Sequence, residues 1–232
     1  MISVRGLKKV YGAIPALENL DLEIPTGQFV ALFGPNGAGK TTLVNILSTL
    51  LLPTDGTVAI GGFDLKRQAN DIRKLLGVIS HYPWLYSRLS AKENLMFYGR
   101  MYGIGSLEEQ VDRRLSDVGM DSWADETVDR FSRGMQQRLA IARTLLHDPP
   151  VLLLDEPYTG LDRHAAKMLT NSLAALRSEK RTILLVTHDL SQGLAQAHRA
   201  MILRSGRIVE DSQVDELDFD EFTAKYDSII GG

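Results

Sequence analysis

The sequence predicts an α/β fold, on three observations. The short apolar runs "FVALF" (29–33), "VLLLD" (151–155) and "TILLVTH" (182–188) have the length of buried strands, and each ends in Gly or polar residues. The first of them runs into the Gly-rich segment "GPNGAGKT" (34–41). Beyond that segment, apolar residues from Leu43 to Leu51 recur at helical spacing and stop at Pro53, where a helix cannot continue. Strand, loop and helix, followed by more buried strands, make a parallel sheet covered by helices.

The remaining elements follow in order. The opening "SVRGLKKVYG" and the later "GTVAIGG" (56–62) are turn-rich strand candidates, and they predict an antiparallel β side sheet. From about Tyr82 to His147 strand signals vanish, while "AKENLMFYGRMYG" and "SLEEQVDRRLSDVG" read as two helices punctuated by Gly. A third helix is predicted in "FSRGMQQRLAIARTLL", with Met135, Leu139, Ala142, Leu145 and Leu146 on one face and Ser132 as its cap. The expected organisation is one domain over 1–232, with a core at 1–81 and 148–232 and a helical lobe inserted at about 82–147. The acidic tail "EDSQVDELDFDEF" is expected to be a solvated helix or a frayed end.

Composition narrows the class. With 232 residues and 44% hydrophobic content the chain can bury a sizeable core. Its net charge is −3, and the 26 Lys and Arg are spread along the sequence. No concentrated positive field marks a nucleic-acid partner. The absence of cysteine excludes disulfides and thiolate metal sites. "MISVRGLKKVYG" has no apolar signal core, and runs such as "LVNILSTLLLP" are too short to span a bilayer, so a cytoplasmic protein is expected, with any membrane role needing a partner.

The chemistry is carried by a few short motifs. Gly34, Pro35, Asn36, Gly37, Ala38, Gly39, Lys40 and Thr41 form a full P-loop between a strand and a helix, with Thr42 following. Its backbone N–H groups wrap phosphates, Lys40 reaches the β and γ phosphates, and the Thr41 hydroxyl holds Mg²⁺. A Gly-rich turn opening a structural helix lacks a reason for this spacing. Asp155 and Glu156 end the strand "VLLLD", where a Mg²⁺-holding carboxylate and a neighbouring general base would stand beside the phosphates. Two such carboxylates are also what a solvated loop supplies; the P-loop favours the chemical reading, with Glu156 as the base. His188 ends another strand and reaches the γ phosphate if that strand neighbours the other two. Tyr11 lies in the turn "KKVYGAIPAL", placed either to stack on a base or simply to pack.

The succession "GPNGAGKT", "FSRGMQQRL", "LLLDEP", "TGLD" and "THD" resembles the ATP-binding subunits of ABC transporters, and the resemblance covers nearly the whole chain. It implies a P-loop NTPase core that binds ATP with Mg²⁺ and hydrolyses it. It makes Ser132 to Gln136 the signature motif, Gly160 to Asp162 the D-loop, His188 the switch histidine and Tyr11 the adenine-stacking aromatic. By the same resemblance, the helix at Ser132 holds the γ phosphate of ATP bound to a second subunit, and two chains sandwich two nucleotides head to tail. Two departures stand out. The signature usually reads Leu-Ser-Gly-Gly-Gln, and here the middle is Ser132, Arg133, Gly134, Met135 and Gln136, in which the Ser and the second Gly remain. The family's Q-loop glutamine aligns with His81, whose neutral imidazole can ligate Mg²⁺ or hold the attacking water's shell.

Within the family, His81 and "SRGMQQRLAIARTLLHDPP" look like the ATPases of the haem exporters used in cytochrome c maturation, or of related exporters with separately encoded membrane subunits. The resemblance implies transmembrane partner subunits and a peripheral position on the cytoplasmic face of the membrane. Tyr82, Trp84 and Tyr86 lie where the family receives a coupling helix, and they serve either that groove or the lobe's own core. The alternative class is a soluble ABC ATPase acting on ribosomes or DNA. Such proteins resemble two ATPase units in one chain or carry long coiled-coil insertions, and this chain has neither. A small-molecule P-loop kinase would leave the Ser132 motif unexplained.

Overall fold

The computed structural model describes residues 1–80, 82–161, 163–178 and 181–231. Strand β1 (Ile2–Tyr11) turns back at Gly12, which takes a positive φ of 59°, into β2 (Ile14–Ile24). On β1 the buried residues are Ile2, Val4 and then Leu7, because a register shift between Val4 and Leu7 inserts an extra residue. β1 also pairs with β4 (Asp55–Ile60), and β4 pairs with the short β5 (Phe63–Asp64). The result is a four-stranded antiparallel sheet in the order β2-β1-β4-β5. The side sheet is therefore present, and β2 is a member that its alternating polar residues concealed.

The second sheet has six strands in the order β10-β9-β3-β8-β7-β6. β3 (Phe29–Phe33), β6 (Leu76–Ile79), β7 (Val151–Asp155), β8 (Thr182–Val186) and β9 (Arg199–Arg204) run parallel. β10 (Arg207–Gln213) is antiparallel on the β9 edge. The residues 29–33 and 151–155 read as strands in the sequence are the observed β3 and β7. The acidic tail is more ordered than expected, since its first residues complete β10 and the chain after them forms helix α8 (Phe219–Gly231). Glu210 of β10 is tied to Lys225 of α8 by an ion pair.

Helix α1 spans Lys40–Leu47 rather than Leu43–Leu51. It starts at once after Gly39, whose left-handed φ of 106° ends the loop, and it stops because Thr49 turns to a φ of 63° and exposes Leu50 and Leu52. Helix α2 is Ala69–Leu75. Helix α3 (Ala91–Tyr102) is entered through a capping box of Ser90 with Glu93 and left through Gly103 at a φ of 66°. Helix α4 is Leu107–Asp117, and α5 is Arg133–Leu145, with the Ser132 hydroxyl accepting from the Met135 N–H at its start. Helix α6 (Arg163–Ser178) and α7 (Leu190–Gln196) complete the set. No described helix is long and apolar enough to cross a membrane.

Two cores sandwich the larger sheet. Phe29, Ala31 and Phe33 of β3 face one core, with Leu139 of α5 and Phe222 of α8, while Val30 and Leu32 face the other, with Leu43 of α1 and Ile2 of β1. β7 divides in the same way, with Leu152 and Leu154 on the first side and Val151 and Leu153 on the second. Strands buried on both faces read as continuous apolar runs, which is why "FVALF" and "VLLLD" were legible.

Candidate active site

The site forms where β3, β7 and β8 end side by side. β8 lies between the other two, with Val186 paired to Leu32 of β3 on one flank and to Asp155 of β7 on the other. That order satisfies the condition on which His188 could join the phosphate site. The loop after β3 is shaped by glycines at close approaches. A Cβ on Gly34, which has a φ of 154°, would sit 2.2 Å from the Leu203 carbonyl oxygen, and one on Gly39 would sit 2.4 Å from that of Ala16. The Ala38 carbonyl accepts from the Gly206 N–H at 2.9 Å, pinning the loop to the β9–β10 turn.

Lys40 is the first residue of α1 and is 9% exposed. Its ammonium donates to the Gly34 carbonyl at 2.6 Å and to the Pro35 carbonyl at 2.9 Å. Burial lowers its pKa, and the charges of Glu156 and Asp155 oppose that shift. The cation is thus folded onto the loop's own carbonyls and faces two carboxylates.

Asp155 ends β7 and is buried. Glu156 follows at a positive φ of 50°, and its N–H donates to the Val186 carbonyl at 2.9 Å. This left-handed turn aims the Glu156 side chain across the end of β8, where its Oε2 meets His188 Nδ1 at 2.8 Å. A cleft of about 390 Å³ is walled by Asn36, Thr41, Asp155, Glu156, Thr159 and His188. A hydroxyl and a buried carboxylate are hard oxygen donors, suited to Mg²⁺, which takes few protein ligands and keeps phosphate and water for the rest. Among the described residues there is no group of three or more His, Cys, Asp and Glu that could hold a metal. The residues present fit a nucleoside triphosphate with Mg²⁺.

Comparison with known proteins decides the family. The pattern of the ABC transporter family matches residues 17–159, more than half of the chain. This chain belongs to the ABC transporter family. It is 34% identical over 209 residues to the ABC transporter ATP-binding protein NatA of Bacillus subtilis, covering 88% of this chain and 84% of that one. It is 36% identical over 219 residues to a Nod factor export ATP-binding protein of Cupriavidus metallidurans, covering 94% and 72%. A daunorubicin resistance ATP-binding protein of Streptomyces coeruleorubidus is also 36% identical, over 93% and 69%. Among solved structures, a dimeric ATP-binding cassette in a post-hydrolysis state with ADP and Pi superimposes with a TM-score of 0.85 at 28% identity, covering 92% of this chain and 99% of that one. The ATP-binding subunit of an ABC transporter superimposes with a TM-score of 0.89 at 27% identity, covering 97% and 99%.

This ABC cassette is an ATP-binding subunit that uses ATP with Mg²⁺ and hydrolyses it. Of the site residues read from its sequence, Asn36, Thr41, Asp155, Glu156 and His188 wall one cleft, and Gly37 to Thr42 line an adjoining pocket with Asp155 and Glu156. His81 and Asp162 lie outside the described residues; Ser80 and Tyr82, on either side of His81, both line the cleft. Ser132 and Gly134 do not wall the P-loop cleft of their own chain, and Gln136 lines a neighbouring groove of about 210 Å³ with Arg133, Gln137 and Glu156. Tyr11 ends β1 half exposed, with the Lys9 ammonium 5.3 Å from its ring centre. The sequence reading missed the tail's contribution. Phe222, Tyr226 and Ile229 of α8 pack on the core at i, i+4, i+7 spacing, a signal hidden among acidic neighbours.

Proposed function

We propose that this ATPase is the motor of an exporter, and that the convergence of Lys40, Asp155, Glu156 and His188 at the ends of three adjacent strands carries its chemistry. Gly34 to Thr42 cradle the phosphates, and Thr41 and Asp155, with His81 as a water-shell ligand, hold Mg²⁺. Bound there, the metal neutralises charge developing on the phosphates. Glu156 polarises the attacking water as general base. His188, 2.8 Å away, holds the Glu156 carboxylate and faces the γ phosphate. Tyr11 stacks on adenine.

Ser132 and Gly134 serve the site of a second copy, with Gln136 and Asp162 at the shared interface. Supporting this, Ser132 caps α5 at an exposed helix start, and neither Ser132 nor Gly134 walls the P-loop cleft of its own chain. Two chains close head to tail on two ATP molecules and reopen after hydrolysis. The unit is a single domain with its core at 1–81 and 148–232 and its helical lobe at about 82–147.

The transmembrane subunits dock on the aromatic surface formed by Tyr82, Trp84, Tyr86, Phe97, Met101 and Tyr102, all partly exposed. This keeps the cassette peripheral, on the cytoplasmic face. The relatives named for Nod factor export and daunorubicin resistance support export as the direction. Haem, the narrower expectation from sequence, has no counterpart in those names. The proposal therefore stays at export. The test is affinity capture of the chain from native membranes, with its companions identified by mass spectrometry. A polytopic membrane protein enriched with the wild type is expected, and losing it on Trp84→Ala and Met101→Ala would locate the dock. Ribosomal proteins in its place would support the soluble class instead.

A further inference from the structure

We propose that Gln137, on helix α5, is a positioning residue for Glu156: its amide holds the turn on which the general base is mounted. The proposal rests on the reading of Glu156 as that base, and it adds a residue beyond the Ser132 to Gln136 stretch that the sequence singles out.

Glu156 stands in a conformation that its own sequence opposes. Its φ of 50° is left-handed, where a Cβ crowds the following carbonyl oxygen. Pro157 comes next, and a proline ring pushes the residue before it towards extended backbone. Such a residue keeps its shape only through the contacts around it. The Glu156 N–H donates to the Val186 carbonyl at 2.9 Å, which ties it to β8, and its carbonyl accepts from the Thr159 N–H at 3.1 Å, which closes the turn.

A third contact comes from α5. The Gln137 Nε2 donates to the Pro157 carbonyl at 3.1 Å. Pro157 is buried and Gln137 half-buried. A carbonyl oxygen can only accept, so the NH₂ end of the amide faces it. The adjacent Gln136 behaves differently, because its amide turns back to the Phe131 carbonyl at 3.2 Å. Arg133 lies one helical turn before Gln137 on the same face. It meets the far end of the same turn, where a Cβ on Gly160 would stand 3.3 Å from the Arg133 Nη1 and 3.5 Å from its Cδ. One face of α5 therefore spans the turn, with its hydrogen bond at the end next to the base. Gln137 and Glu156 also line one groove of about 210 Å³, while the Glu156 Oε2 keeps its 2.8 Å contact to His188.

Without the amide the Pro157 peptide is free to rotate, and the Glu156 carboxylate loses its fixed place beside His188. The phosphate loop is untouched. The loss should therefore fall on turnover rather than on nucleotide binding. Gln137→Met keeps the length of the side chain and removes the donor. Its kcat should fall about three- to tenfold, the worth of one neutral hydrogen bond, with MgADP affinity within about twofold of wild type and Tm nearly unchanged. Gln137→Glu has the same shape and no donor at neutral pH, so it should lose at least as much, and it serves if the Met variant fails to fold. The deciding readout is the pair with Glu156→Gln, followed in single-turnover hydrolysis. If Gln137 acts through Glu156, adding Gln137→Met to Glu156→Gln should cost less than about twofold more. Wild-type kcat in both single variants overturns the proposal, as does MgADP affinity that weakens as much as kcat, or losses that multiply in the double variant. Full activity in Glu156→Gln alone would instead remove the base reading and the proposal with it, a result separate from a silent Gln137 variant.

Discussion

Replacing Gly34 by Ala tests how tightly the phosphate loop is built. The new Cβ would lie 2.2 Å from the Leu203 oxygen and 3.2 Å from its carbonyl carbon, whereas packed carbon atoms sit about 3.5 to 4 Å apart. Something has to yield by roughly 1 Å. Leu203 is fully buried on β9, which is hydrogen-bonded on both flanks, to β3 and to β10, so the loop is the part that moves. A misplacement of about 1 Å in a group that positions substrate costs on the order of 10²-fold. The fold should survive, since overpacking of this kind costs about 1 to 3 kcal/mol and lowers Tm by several degrees. Titration calorimetry with MgADP and steady-state ATPase assays should both show a loss near 10²-fold, with Tm measured alongside. Gly62→Ala is the control. Gly62 also has a positive φ, 85°, but nothing lies within 4 Å of its would-be Cβ, so it should lose about 1 to 2 kcal/mol of stability and no affinity. A folded Gly34→Ala protein binding MgADP within threefold of wild type would show the reasoning to be wrong.

Other outcomes are expected from the same site and its surroundings. Glu156→Gln should bind ATP normally, slow turnover by about 10²- to 10⁴-fold and accumulate as an ATP-bound dimer on size exclusion; full activity would remove Glu156 as the base. Lys40→Ala and Ser132→Arg proteins should each be inactive, and mixing them should restore part of the ATPase activity through heterodimers with one intact composite site. Wild-type specific activity should rise with protein concentration; full activity in dilute monomer, unaffected by Ser132→Arg, would exclude a shared site. Asp148 bridges Arg181 at 2.6 Å and Arg114 at 3.5 Å, and the Arg181 hydrogen bond is the main cause of its lowered pKa. A depressed carboxylate stabilises the fold above its unfolded pKa, about 3.9, and loses that contribution as pH falls through the lower folded value. The Tm gap between wild type and Asp148→Asn should therefore be full at pH 7 and close in strong acid. A gap unchanged between pH 7 and pH 2 would contradict the ion-pair account.

The sequence was most legible where one local rule decides the structure. β3 and β7 are apolar on both faces, so their limits coincide with the runs that predicted them, and the P-loop is contiguous, so its residues could be named without a fold. Legibility failed where the partner is remote. β2 and β10 carry charge on their exposed face, and their pairing to β1 and β9 is what makes them strands. Glu156 and His188 are 32 positions apart, and their contact depends on β8 lying between β3 and β7. The role of α8 was hidden for a different reason. Its apolar residues are spaced for a buried face, yet Asp218, Asp220 and Glu221 around them gave the segment the composition of a solvated tail.

The division of each central strand between two cores bears on how this molecule comes apart. Phe29, Ala31 and Phe33 are anchored on one side of the sheet while Val30 and Leu32 are anchored on the other, so neither layer can melt without exposing half of the strand that carries the phosphate loop. Amide hydrogens of β3, β7 and β8 should exchange only through global opening, at one common rate. Nucleotide gripped at the tips of these strands would then slow exchange in both layers together, remote amides included.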